Sequence, residues 1–279
     1  MRAFALLLTL ALNAAAPPLA IQATKISQMD GGEAIPERFA FVAGETVFVT
    51  FEIAGYHKPP KSDDKQETTK MEYEITALDP AGGLIAPAKT SKIEQELAAE
   101  DKDWKPRIHH QFAVPEGAAT GTYKVVITVK DGLAKKQVTA EATLPIRGRK
   151  LDPSPEIIAR NFHFLRTEDE GQPMIQPIYR AGESVWARFD MTGYKYGERN
   201  RIDASYGLAV LRASGEKLFE QPEAAGDQSE SFYPKRYIPG IISLNLDKTI
   251  SPGAYTIVLY CHDKVGGKTT ESRHVFRVE

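Results

Sequence analysis

A fourteen-residue stretch occurs twice in this chain. Ala43-Gly-Glu-Thr-Val-Phe-Val-Thr-Phe-Glu-Ile-Ala-Gly-Tyr56 returns as Ala181-Gly-Glu-Ser-Val-Trp-Ala-Arg-Phe-Asp-Met-Thr-Gly-Tyr194. About half of the paired positions are identical, and most of the others are like for like. An internal repeat at this distance means two copies of one domain. A chain of 279 residues has room for about two domains of ordinary size.

The repeated stretch alternates. Val47, Val49, Phe51 and Ile53 interleave with Phe48, Thr50, Glu52 and Ala54; Val185, Ala187, Phe189 and Met191 do the same with Trp186, Arg188, Asp190 and Thr192. A period of two marks a half-buried strand, with one set facing a core. Glycines at 44, 55, 182 and 193 fit turns on either side. An earlier strand in each copy includes Ile26 and Phe164. Tyr73, Ile75 and Ala77 answer to Tyr206, Leu208 and Val210 as a later strand, and each copy closes with a hairpin around Tyr123–Val129 or Tyr255–Cys261. Between the Tyr73 and Tyr123 strands, Ser91 to Asp103 reads as a short helix or a charged loop; its counterpart, Gln221 to Glu230, reads as loop. Residues 57–70 read as a polar surface loop, and 147–156, basic and then Pro-rich, as a linker. Short, regularly spaced strands with turns between them predict β-sandwiches rather than a βαβ sheet.

The N-terminus is different in kind. Met1-Arg2, a short apolar run to Leu12 and an Ala-rich exit between Ala14 and Ala20 form the pattern of a secretory signal peptide. No cysteine stands near the cut, which argues against a lipoprotein anchor. Cys261 is the only cysteine, so no internal disulfide can form, and an exported chain must rely on its cores. That suits a bacterial periplasm or cell exterior. The formal net charge is −2, which gives no field for nucleic acid or for an anionic membrane. No apolar run approaches the roughly 20 residues that span a bilayer.

Gln176-Pro-Ile-Tyr-Arg-Ala-Gly-Glu-Ser-Val185, with Gly121-Thr-Tyr123 and Gly253-Ala-Tyr255 near the end of each copy, resembles the macroglobulin-type domains of α2-macroglobulins and complement proteins. Those domains carry a Pro-Ile-Tyr-x-Pro-Gly-Glu-x-Val segment and a closing Gly-x-Tyr strand. Ala181 replaces the family's proline, and Phe39-Ala-Phe41 replaces Pro-Ile-Tyr in the first copy. The resemblance implies a seven-stranded immunoglobulin-like sandwich. The macroglobulin thioester signature, Cys-Gly-Glu-Gln, is absent, so that family's trapping chemistry is not carried over. The expected class is therefore all-β: a signal peptide at 1–20, a first macroglobulin-like, immunoglobulin-like β-sandwich domain at 21–147, a linker at 148–155 and a second sandwich at 156–279.

Candidate chemistry is sparse. Cys261-His262-Asp263 is a thiol triad only on paper, because neighbouring strand residues point to opposite faces. His109 and His110 fall on opposite faces for the same reason, so two ligands do not converge on one ion. The acidic runs Asp63-Asp64, Glu100 to Asp103 and Glu168 to Glu170 lack the spacing of a calcium loop. No serine-hydrolase elbow, phosphate loop or zinc-protease motif is present. No catalytic residue, metal or cofactor is expected.

The most suggestive residues for binding are Trp104, Lys105 and Arg107 in the first copy, and Phe232, Tyr233, Lys235, Arg236 and Tyr237 in the second. A loop of aromatics, proline and cations can stack on a sugar or hold an acidic chain. The plainer reading is that the aromatics plug the end of the sandwich while the cations are solvated. Two functions stay open: an exported, non-enzymatic binding, structural or adhesion module with a protein or glycan partner, or a carbohydrate-binding or enzyme-accessory protein of the periplasm or cell surface.

Overall fold

The computed structural model describes residues 17–58, 68–98, 101, 103–152, 154–169 and 171–279. Most of the expected signal peptide, the Pro59-Pro60 and Asp63-Asp64 portion of the first long loop, Glu100, Lys102, Pro153 in the linker and Glu170 lie outside the described residues.

The chain divides into two compact units, one built chiefly of residues 45–113 and 122–145, the other chiefly of 146–279. The first carries strands β1 (Ala20–Ser27), β2 (Phe41–Val42), β3 (Thr46–Ala54), β4 (Thr68–Leu78), β5 (Lys89–Glu96), β6 (Arg107–Ala113), β7 (Gly121–Asp131) and β8 (Lys136–Arg147). The second repeats the series with β9 (Ile158–Leu165), β10 (Ile178–Tyr179), β11 (Ser184–Thr192), β12 (Ile202–Arg212), β13 (Lys217–Ser229), β14 (Ile238–Asn245), β15 (Gly253–Asp263) and β16 (Lys268–Val278). A single 3-10 turn, Glu198–Asn200, interrupts the second unit. The topology is the same in both. A three-stranded sheet, β1-β3-β6 or β9-β11-β14, accompanies a five-stranded sheet, β2-β8-β7-β4-β5 or β10-β16-β15-β12-β13. Each unit is a β-sandwich, and the chain is nearly all β.

Alternation in the sequence becomes burial in the core. Val47, Val49, Phe51 and Ile53 of β3 are fully buried, as are Val185, Ala187 and Met191 of β11, with Phe189 nearly so. Tyr73, Ile75 and Ala77 of β4 and Tyr123, Val125, Ile127 and Val129 of β7 supply buried side chains from the five-stranded sheet of the first unit. In the second unit, Tyr206, Leu208, Val210, Tyr255, Ile257, Leu259 and Cys261 join the same core cluster as the β11 residues. Each large apolar side chain so buried contributes about 1.5–3 kcal/mol. Phe48 and Trp186, on the outward phase of the repeated strand, are half-buried.

Three segments differ from the sequence reading. Thr68 to Lys70, read as the end of a loop, opens strand β4. Ser91 to Glu96 lies in strand β5, neither helix nor loop, and Gln221 to Ser229 lies in strand β13, not loop. Both are edge strands, paired on one side only, with β4 and β12. At a sheet edge most side chains miss the core, so the apolar alternation that identifies a strand is lost. Charge takes its place: Lys70 sits opposite Glu94 and Glu72 opposite Lys92 across β4 and β5. In β13, Pro222 is accommodated at an irregularity opposite Tyr206 and Leu208, and charged residues and a proline make this edge a poor template for further pairing.

Cys261 is 1% exposed, and burial pushes its thiol up to about 12. Native chain should resist thiol reagents at pH 8 and label fully once denatured; rapid native labelling would contradict this burial. The folded chain also keeps the thiol proton above pH 9.0, where an ordinary thiol has begun to release it. This group's contribution is intact below that pH and falls by about 1.4 kcal/mol per pH unit as pH rises towards 12. Urea unfolding at pH 8 and pH 10.5 should therefore show a steeper alkaline loss for the natural chain than for Cys261→Val.

Candidate functional site

Each repeated strand leaves its sheet through a Gly-Tyr corner built the same way in both units. Gly55 has φ +66° and Gly193 has φ +80°, a region that side chains disfavour. A Cβ at Gly55 would collide with the Pro18 carbonyl, and one at Gly193 with the Glu156 carbonyl, because the chain entering the unit passes directly over each glycine. The tyrosine that follows is buried, and its hydroxyl donates to a loop carbonyl: Tyr56 to Trp104 at 2.7 Å, Tyr194 to Lys235 at 2.7 Å. The next backbone N–H donates to a buried carboxylate, His57 to Asp131 at 2.5 Å and Lys195 to Asp263 at 2.9 Å. The other oxygen of each aspartate accepts from its own hairpin turn, Leu133 and Ala134 in one case, Val265 and Gly266 in the other. One carboxylate thus closes a turn of the five-stranded sheet and holds the chain leaving the three-stranded sheet. This role of the two aspartates is absent from the sequence reading, although both stand at equivalent hairpins.

The corner collects two of the three candidate residues in the first unit. Trp104 is half-buried and stands edge-to-face on Tyr56, with centroids 6.1 Å apart. Lys105 is exposed, and its Nζ lies 3.4 Å from Gln22 Oε1. Lys58 Nζ stands 5.4 Å from the centre of the Tyr56 ring. A hollow of about 590 Å³ is lined by Tyr56, Trp104, Lys58, Lys105, Lys136 and Asp103, among others. Burial, with the charge of Asp101 as a smaller cause, pushes the Tyr56 hydroxyl up to about 12, so it remains a donor at neutral pH. Arg107 is not part of this hollow. It opens β6 and pairs with Glu52 at 2.6 Å, holding that carboxyl below the usual range. With Glu52 and His109 it lines a smaller hollow of about 100 Å³.

In the second unit the same corner is filled from within. The position of Lys58 is taken by Tyr196, whose ring packs edge-to-face on Tyr194 at 5.7 Å and whose hydroxyl donates to the Lys235 carbonyl. Lys235 Nζ is held by Asp227 at 2.9 Å and Ser229 at 3.0 Å. Arg149 lies over the Tyr237 ring at 4.6 Å and reaches Asp190 at 2.8 Å. Asn200 donates to the carbonyls of Ser231 and Phe232, and Tyr233 is half-buried. Of the five candidates in this loop, Phe232 and Arg236 are exposed; Lys235 and Tyr237 serve internal contacts.

The remaining candidates do not converge. Asp263 is occupied by backbone amides, and the His262 ring nitrogens lie 3.1 Å from Thr269 Oγ1 and 3.2 Å from the Pro222 carbonyl. His110 is half-buried, its pKa lowered by burial and then by the charge of Lys89, while exposed His109 meets Asp30 at 2.6 Å. Among the described residues, no three His, Cys, Asp or Glu side chains are placed to share a metal ion. No helix among them is long and apolar enough to cross a membrane.

No family model matches the chain, and no curated protein matches it. Among solved structures it is similar to the C-terminal domain of the Streptococcus pyogenes antigen I/II-family protein AspA, at 8% identity, covering 95% of this chain and 99% of that one, TM-score 0.33. It is also similar to the C-terminal domain of the Streptococcus agalactiae AgI/II polypeptide BspA, at 10% identity over 93% and 100%, TM-score 0.31. A third similar structure is a family 123 glycoside hydrolase from Clostridium perfringens, at 11% identity over 44% of this chain, TM-score 0.29. The match spans 27% of that hydrolase chain.

The shared carboxylate predicts a paired effect. Asp131→Ala and Asp263→Ala each leave three backbone amides without their charged acceptor, and each should destabilise its own unit by about 2–3 kcal/mol. Denaturant unfolding of each variant checks this; a loss under 0.5 kcal/mol, the ordinary scale of surface changes, would exclude the clamp.

Proposed function

We propose that this chain is an exported, non-catalytic binding protein made of two macroglobulin-like sandwiches, which meets a protein or glycan partner through the loops at the Tyr56–Trp104 corner. The observation that carries the reading is the contrast between the two corners. The same backbone device is built twice, yet one corner is packed with its own side chains while the other opens into a hollow walled by aromatics and lysines. Loops hung on rigid strands are where sandwiches place their contacts. Exposed Phe232 and Arg236 offer a second, smaller contact in the other unit. Export to the periplasm or the cell exterior rests on the Met1–Ala20 pattern. The alternative, a carbohydrate-binding or enzyme-accessory protein, is favoured by the aromatic wall of the hollow.

The mature chain, screened against envelope proteins and glycans, should yield a partner whose binding weakens about tenfold or more in Trp104→Ala, the range of an aromatic hot spot. Binding unchanged in Trp104→Ala moves the contact elsewhere, and hydrolysis of any screened glycan, ester or peptide by the pure protein ends the non-catalytic reading. Mass spectrometry of the exported chain should place its first residue between Ala15 and Pro17, which leaves Pro18 to cross Gly55.

A further inference from the structure

We infer that the hollow at the Tyr56–Trp104 corner takes an anionic saccharide, one pyranose ring against the indole and its carboxylate or sulfate held by Lys105 and Lys136. This rests on the reading of that corner as the binding site and names the chemistry of its ligand.

The volume, about 590 Å³, falls within the roughly 300–1,000 Å³ of small-ligand sites. Its aromatic wall is rigid. Tyr56 is 5% exposed, is fixed by its hydrogen bond to the Trp104 carbonyl, and braces the indole edge-to-face. An indole fixed in this way binds a flat apolar surface at little cost in side-chain entropy. The C–H face of a pyranose is such a surface.

The polar groups around the wall narrow the class. Among the described residues of the lining, the ammonium groups of Lys105 and Lys136 stand against one carboxylate, Asp103, in a chain that is net negative as a whole. Lys105 reaches a neutral amide oxygen, that of Gln22, so an incoming anion does not have to displace a carboxylate from it. Asp103 and Gln22 offer hydrogen-bond acceptors beside the cations. A polyhydroxylated ligand donates to such acceptors while its single acidic group accepts from the lysines. A dense polyanion such as a nucleic acid meets Asp103 as repulsion and has no extended basic surface to follow. The second unit is a built-in comparison: Tyr196 fills the corner beside Tyr194, and Lys235, the neighbouring cation, is held by Asp227.

The test uses the mature full-length chain and titration calorimetry with four probes: trigalacturonate, a sulfated heparin-derived tetrasaccharide, neutral cellotriose and a tetraglutamate peptide. Binding of trigalacturonate or the sulfated tetrasaccharide at least tenfold tighter than cellotriose is expected, and the better of the two assigns carboxylate or sulfate. Lys105→Gln with Lys136→Gln should weaken that binding tenfold or more and reduce its salt dependence. Both lysines are exposed, so the thermal transition should be unchanged. Trp104→Ala should abolish binding. If cellotriose binds equally well and Trp104→Ala still abolishes it, the corner is a binding site and the anionic assignment is wrong. If tetraglutamate binds and no saccharide does, the saccharide class is wrong. If no probe binds, or if binding survives Trp104→Ala, the inference is overturned.

Discussion

A single carboxylate holds each sandwich at the end where its loops gather. Apolar packing brings two sheets together without fixing how their ends align, because it is non-directional. Asp131 and Asp263 supply direction. Each is 3% exposed and accepts from its own hairpin turn and from the backbone just beyond the Gly-Tyr pair. The tyrosine hydroxyl adds a second tie, this time to the loop that precedes β6 or β14. The glycine lets the entering chain cross close above. Carboxylate, hydroxyl and glycine together fix three segments that no strand pairing would align. Remove the carboxylate and the backbone just beyond Tyr56 is no longer tied to the hairpin turn.

The strands buried on one face were legible because their chemistry alternates. Val47 to Ile53 and Val185 to Met191 read as strands, and the same residues form the core. The edge strands β5 and β13 were not legible, since most of their side chains miss the core and carry charge or small groups instead. A strand held by one ladder, with opposite charges facing across it rather than apolar side chains, leaves little mark on hydropathy. The candidate site was legible in kind but not in placement. Trp104 and Lys105 lie at the hollow, whereas Arg107, two residues further on, belongs to the sheet face with Glu52. Lys58 and Lys136 come from elements distant in sequence, and nothing local announces them.

The two copies also show how one acidic position serves different ends. Glu52 and Asp190 occupy the same place in the repeated strand, and each meets an arginine. Glu52 pairs with Arg107, whose side chain is 64% exposed, so water screens the pair. The Asp190 side chain is 6% exposed and also accepts from Asn161 at 3.0 Å. Its partner, Arg149, comes from the segment that enters the second unit and covers Tyr237 as well. A desolvated carboxylate held this way is expensive to leave unpaired, so the arginine is committed to structure, and Tyr237 with it.

That commitment bears on where a ligand can be held. Cations already paired with carboxylates, and aromatics already covered by cations, have little left to offer another molecule. In the second unit this describes Lys235, Arg149 and Tyr237. In both units the buried aspartate of the corner accepts from three backbone amides, so it makes no demand on the lysines around it. Lys105 and Lys136 therefore face the hollow without being needed to neutralise Asp131. Both clamps are met by backbone donors, so the difference between the two ends lies in Asp227, Asp190 and Tyr196, which occupy the cations and the corner of the second unit.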